Sequence, residues 1–138
     1  MVASLRHPPG YRNTDGRLSQ LRYQFVWTVR RRRSVLIDGI AARLEARIRE
    51  IAAELDLEII ALAVEPSYVH LQVAATPDLS PTQIVYRLKS ATAATLRGEY
   101  PQLMRLPSMW NGTYLVSSER YLSDNDINEY VHAQSTRA

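Results

Sequence analysis

The stretch that decides the fold is LEIIALAVEPSYVHLQVA, residues 57–74. Leu57 to Val64 is dense in aliphatic and β-branched residues and reads as a strand. Glu65-Pro66-Ser67 follows as a turn, because proline fixes its own backbone and cannot donate to a sheet ladder. Tyr68 to Ala74 reads as a second strand, so the two predict a hairpin. Alternation sends Val69, Leu71 and Val73 to one face and Tyr68, His70 and Gln72 to the other. The apolar set calls for a covering layer. The polar set needs an open face.

Upstream, Leu21 to Val29 (LRYQFVWTV) is rich in aromatic and β-branched residues and predicts a strand, ended by Arg30-Arg31-Arg32-Arg33. Ile37, Ile40, Leu44, Ile48, Ile51 and Leu55 then recur at spacings of three and four, which predicts an amphipathic helix with Asp38 near its N-cap. Downstream of the hairpin, Ser80 and Pro81 open a second helix, which Ile84, Val85, Leu88, Thr92 and Leu96 continue. Residues 101–112 read as a loop, Thr113 to Ser117 as a short strand, and Ser123 as the cap of a last helix, with Asp126 three residues on. The order is β-α-β-β-α-β-α. Its first six elements match the split βαβ, ferredoxin-like (RRM-like) α+β arrangement: an antiparallel sheet with helices on one face. Residues 1–20 are polar and carry Pro8-Pro9-Gly10, and they read as an extended N-terminal arm before a domain spanning 21–138.

Composition narrows the function. A chain of 138 residues that is 46% hydrophobic can bury one ordinary core. The absence of cysteine excludes disulfides, thiolate metal sites and a cysteine nucleophile. Neither a signal peptide nor a membrane-length apolar run is visible, so a soluble, cytoplasmic protein is expected. The net charge of +3 is mild, but the run Arg30 to Arg33 concentrates it where phosphates could be neutralised. Such a run could equally be a solvated loop.

Two polar groups could carry chemistry. One is Tyr68-Val69-His70-Leu71-Gln72 on the open sheet face; the other is Tyr130 and Gln134, four residues apart on one face of the last helix. His70 could simply be a surface histidine, and Tyr130 a packing residue. A tyrosine, with a reference pKa near 10, needs a base or a metal to act as a nucleophile. His70 and Gln134 could give a nitrogen and an oxygen to Mg²⁺ or Mn²⁺. The sequence has no P-loop pattern, no nucleophile-elbow motif and no clustered carboxylate triad.

Four stretches in order resemble one family: Tyr23 to Trp27 with Arg30 to Arg33; Glu65 to Leu71; Trp110 to Ser117; and Ile127 to Gln134. They look like the single-tyrosine, TnpA-type transposases of small insertion sequences that move as single-stranded DNA, within the HUH endonuclease superfamily. The resemblance covers about Leu21 to Gln134. It implies Tyr130 as nucleophile, and His70 and Gln134 as metal ligands. Tyr68 stands where the family's first histidine falls. It further implies a homodimer with composite sites, single-stranded DNA bearing hairpins as substrate, and a 5′-phosphotyrosine intermediate. Arg30, Arg31, Arg32, Arg33, Arg87 and Lys89 are the candidate phosphate contacts. Two other readings remain: a catalytically impaired relative that only binds DNA hairpins, because of Tyr68, and an RNA-binding domain on the same topology.

Overall fold

The computed structural model describes residues 10–134. Its main sheet has four antiparallel strands: β3 (Leu21–Thr28), β4 (Glu58–Glu65), β5 (Tyr68–Ala75) and β6 (Leu115–Ser117). They lie in the order β4-β5-β3-β6. β4 and β5 form the expected hairpin, with Glu65 opposite Tyr68 across the Pro66-Ser67 turn and a register shift between Ile59 and Ala61. β3 is central and pairs with β5 along its whole length, from Leu21↔Ala75 to Thr28↔Tyr68.

Helices α1 (Asp38–Glu54) and α2 (Pro81–Glu99) cover one face. Phe25 and Trp27 of β3 and Val69, Leu71 and Val73 of β5 meet Leu44, Ile48 and Ile51 of α1 and Ile84, Leu88 and Leu96 of α2 in one buried cluster. Burying each such side chain contributes about 1.5–3 kcal/mol. The α2 start is set locally. Ser80 accepts from the Gln83 amide, Gln83 returns a bond to the Ser80 amide, and Pro81 occupies the first turn. Asp38 begins α1 at a φ of 49° and offers no side-chain cap; Ile37 is the N-cap residue.

The arm needs correcting. Residues 12–19 form a hairpin of their own, β1 (Arg12–Thr14) and β2 (Arg17–Ser19). Asp15 and Gly16 both take positive φ at its two-residue turn, as a type I′ turn requires. Arg12 ties the hairpin to the domain through Asp56 and the Ala74 carbonyl, and Arg17 through Asp78. Residues 1–9 of the expected arm lie outside the described residues. The third helix, α3 (Asp124–Ala133), lies on the other side of the sheet, where Ile127 and Val131 pack on Val26. The face left free in the sequence reading is therefore partly covered. Among the described residues no helix is long and apolar enough to cross a membrane.

A candidate active site on the open face of the sheet

The open face is built in rows across the strands. Val26 of β3 sits opposite His70 of β5 and Leu115 of β6; one row along, Gln24 sits opposite Gln72 and Ser117. The helix α3 is seated over the first row. Asp124, Ile127 and Val131 fall at i, i+3 and i+7 and so share one side of α3. Ile127 and Val131 pack on Val26, with Tyr68, Leu115, Leu122 and Tyr130 around them. This brings the strand group and the helix group of the sequence reading to one face.

His70 is held firmly. Its Nε2 lies 2.8 Å from Gln24 Oε1. Gln24 is 2% exposed, and its Nε2 donates to the Glu119 carbonyl at 3.0 Å. A carbonyl can only accept, which fixes the Gln24 amide with Oε1 toward the ring. His70 must then donate from Nε2, leaving the lone pair of the neutral ring on Nδ1. An outer hydrogen bond of this kind is how proteins orient a metal-binding imidazole. Burial pushes the His70 pKa down, and Asp124 partly offsets this, so the ring is neutral at pH 7.

Tyr68, in the place of the family's first histidine, and the expected ligand Gln134 are less prepared. The Tyr68 pKa is raised, first by burial and then by Glu65 and Asp124, so the phenol stays protonated and donates poorly to a hard cation. Gln134 caps the end of α3, and its Nε2 donates to the Tyr130 carbonyl at 3.2 Å. No hydrogen bond joins it to His70 within the chain. Among the described residues no three histidine, aspartate or glutamate side chains gather as a metal site. The described residues thus offer a divalent cation one well-oriented nitrogen, His70 Nδ1.

Tyr130 is half-buried. Its hydroxyl is enclosed without a hydrogen bond of good geometry among the described residues. Burial raises its pKa, and the Thr113 side chain offsets part of that. His132, one residue off the buried stripe, bonds the Asn128 carbonyl and faces away.

The basic residues separate. Arg30–Arg32 form a single 3-10 turn, with Arg31 and Arg32 at φ values of 59° and 51°. Arg31 donates its amide to Asn111, and Arg32 reaches the Val131 carbonyl at the end of α3. Arg31 and Arg33 line a cavity with Arg105. Arg87 is exposed on α2. Lys89 does not fit its expected role as a phosphate contact. It is 8% exposed, and its ammonium donates to the Asn111 and Thr113 carbonyls at 2.7 and 3.1 Å. Burial pulls its pKa down. It pins the loop before β6 to α2. Asp124 and Gln24 are the site residues absent from the sequence reading. Asp124 was signalled by its place on the Ile127–Val131 stripe, and Gln24 by its place on the Val26 face of β3.

Comparison with known proteins agrees with this architecture. Residues 17–134 match the family described as "Transposase IS200 like". The ISDra2 transposase TnpA of Deinococcus radiodurans is 34% identical over 122 residues, covering 86% of this chain and 87% of that protein. A crystal structure of a protein assigned as a transposase from Deinococcus radiodurans R1 superposes with a TM-score of 0.81 at 32% identity, covering 90% of this chain and 98% of that one. The structure of a REP-associated tyrosine transposase bound to a REP hairpin shares the fold, with a TM-score of 0.58 at 17% identity over 91% of this chain and 67% of that one.

Proposed function

The chain belongs to the IS200-like transposase family, and on that premise we propose that it cuts and rejoins single-stranded DNA bearing hairpins, with Tyr130 as nucleophile. The observation that carries this reading is the seating of α3, with Tyr130, on the row of the sheet that holds His70. The Tyr130 oxygen attacks the scissile phosphorus. A phosphorus–oxygen bond to tyrosine forms on the 5′ side, the bond to O3′ breaks, and the phenolic proton is lost as the departing O3′ gains one. Attack by another 3′-hydroxyl reverses the step without an external energy source.

His70 presents Nδ1, Gln24 holds its ring, and Gln134 offers an amide oxygen once released from its own helix. A divalent cation, Mg²⁺ or Mn²⁺, held by His70 and Gln134 would polarise the phosphate. In a homodimer a second copy could supply Gln134 and Tyr130 to the row that holds His70. Burial raises the Tyr130 pKa, so its phenol needs a base or a cation to lose its proton.

The test uses the full chain, hairpin-bearing single-stranded DNA and Mg²⁺ or Mn²⁺. A protein–DNA adduct that survives denaturation is expected, and Tyr130→Phe removes it. An adduct that persists in Tyr130→Phe overturns the assignment. The protonated Tyr68 favours one second reading, a relative that binds hairpins without cutting them. Wild-type protein that binds the hairpin, forms no adduct, and gains one with Tyr68→His would establish that reading.

A further inference from the structure

The loop after β6 is stapled to the open face by two glutamines. Gln24 and Gln72 are cross-strand partners on β3 and β5. Gln24 Nε2 donates to the Glu119 carbonyl at 3.0 Å, and Gln72 Nε2 donates to the Arg120 carbonyl at 3.4 Å. These bonds hold Ser118 and Arg120 against the start of β3. Between them lies a cleft of about 320 Å³ lined by Gln20, Leu21, Arg22, Tyr23, Ser118 and Arg120.

Two arginines line this cleft, Arg22 of β3 and Arg120 of the loop, and the Arg22 guanidinium reaches to Gly10 at the border with the adjoining cavity. Among the described residues, neither makes an ion pair within 4 Å. The arginines of α1 are different: Arg43, Arg47 and Arg49 are all spent on Glu99, Glu50 and Glu45. Glu58 lies in the same cross-strand row as Arg22, through Ala74, and lines the adjoining cavity with it, but the two do not pair. An arginine fork binds a phosphate through two parallel, charge-assisted bonds. The fixed backbone of the 118–120 loop lowers the entropy cost of presenting Arg120.

Arg22 is four residues from Val26, the partner of His70, so it stands about 13 Å along the strand from that row. Gln24 sits between and serves both sides: Oε1 orients His70, and Nε2 holds the loop. We infer that the Arg22–Arg120 cleft is a phosphate subsite for the single strand flanking the bond that is cut. The ligand class is a phosphodiester of unpaired nucleic acid. The inference rests on the DNA-cutting reading for its substrate but not on the nucleophile.

The test compares two probes in fluorescence anisotropy across a range of salt: a DNA hairpin with an unpaired flank, and the same hairpin without it. Wild-type protein should bind the flanked probe more tightly. Arg22→Gln with Arg120→Gln should weaken flanked-probe binding by roughly tenfold. It should also lower the salt slope by about 0.7 for one phosphate of a single strand, and leave the bare hairpin unchanged. Arg43→Gln with Arg49→Gln removes equal charge elsewhere and should change neither probe. An equal loss in that control, or wild-type affinity in the double cleft variant, overturns the subsite. So does equal binding of the two probes by wild-type protein. Tyr130→Phe should keep the flank preference, so failure of the cleavage reading and failure of the subsite are separately visible.

Discussion

The two faces of the sheet are built to different standards. Among the described residues, 21 buried side chains on the helix face, from Phe25 to Trp110, form one cluster under α1 and α2. On the other face three buried side chains of the described residues, Val26, Ile127 and Val131, hold α3. The first face supplies the stability of the domain. The second supplies a platform on which His70 is fixed by hydrogen bonds, while the helix that carries Tyr130 is held by little apolar area. Stability scales with buried apolar area, so α3 should open at a lower free-energy cost than the platform. His70 sits on the rigid element, and Tyr130 sits on the more weakly docked one.

Paired truncations test this contrast most severely. Leu71→Ala on the helix face should destabilise the whole domain by about 2–5 kcal/mol, read by denaturant unfolding. Val131→Ala should remove about 1–2 kcal/mol of packing and raise amide exchange in α3 alone. If Val131→Ala lowers protection in β3 and β5 as much as in α3, the helix belongs to the same cooperative unit and the contrast fails.

A smaller effect sharpens the polar side. Tyr68→His should add an imidazole beside His70 and strengthen Mn²⁺ binding by about 10-fold or more, measured by calorimetry on the full chain. Unchanged affinity would mean that position 68 does not reach the cation. The smallest effect concerns Asp124, which raises the His70 pKa against the lowering by burial. Asp124→Asn should move the His70 titration midpoint further below its ordinary value, followed by ring proton shifts in NMR; a midpoint that stays or rises would remove Asp124 from the site. The sign for stability follows. With its folded pKa depressed, His70 contributes fully above its unfolded pKa, and the contribution is lost as pH falls through the folded one.

Local signals read well in the sequence. The alternation of β5, the three-and-four spacing of α1 and the Ser80-Pro81 helix start all depend on near neighbours, and all appear in the structure. Asp15-Gly16 marks the turn of the β1–β2 hairpin, but its strands are too polar and short to stand out from an extended arm. The charge of Lys89 suggests a surface position, which the structure does not bear out. Its place on the Val85, Leu88, Thr92, Leu96 stripe pointed inward. In the site, the facing of His70 follows from strand alternation. Its tautomer does not, since that depends on Gln24 and on the Glu119 carbonyl 95 residues further along the chain.

Lys89 is also the only lysine in the sequence. With its amine committed to two carbonyls, the side-chain cations available at the surface around neutral pH are guanidinium groups. Guanidinium keeps its proton far into the alkaline range, and lysine acetylation does not touch it. The arginine charge on that face should therefore persist through the range near pH 10 in which lysine loses its proton, and acylating reagents that silence lysine-rich binders should leave it intact.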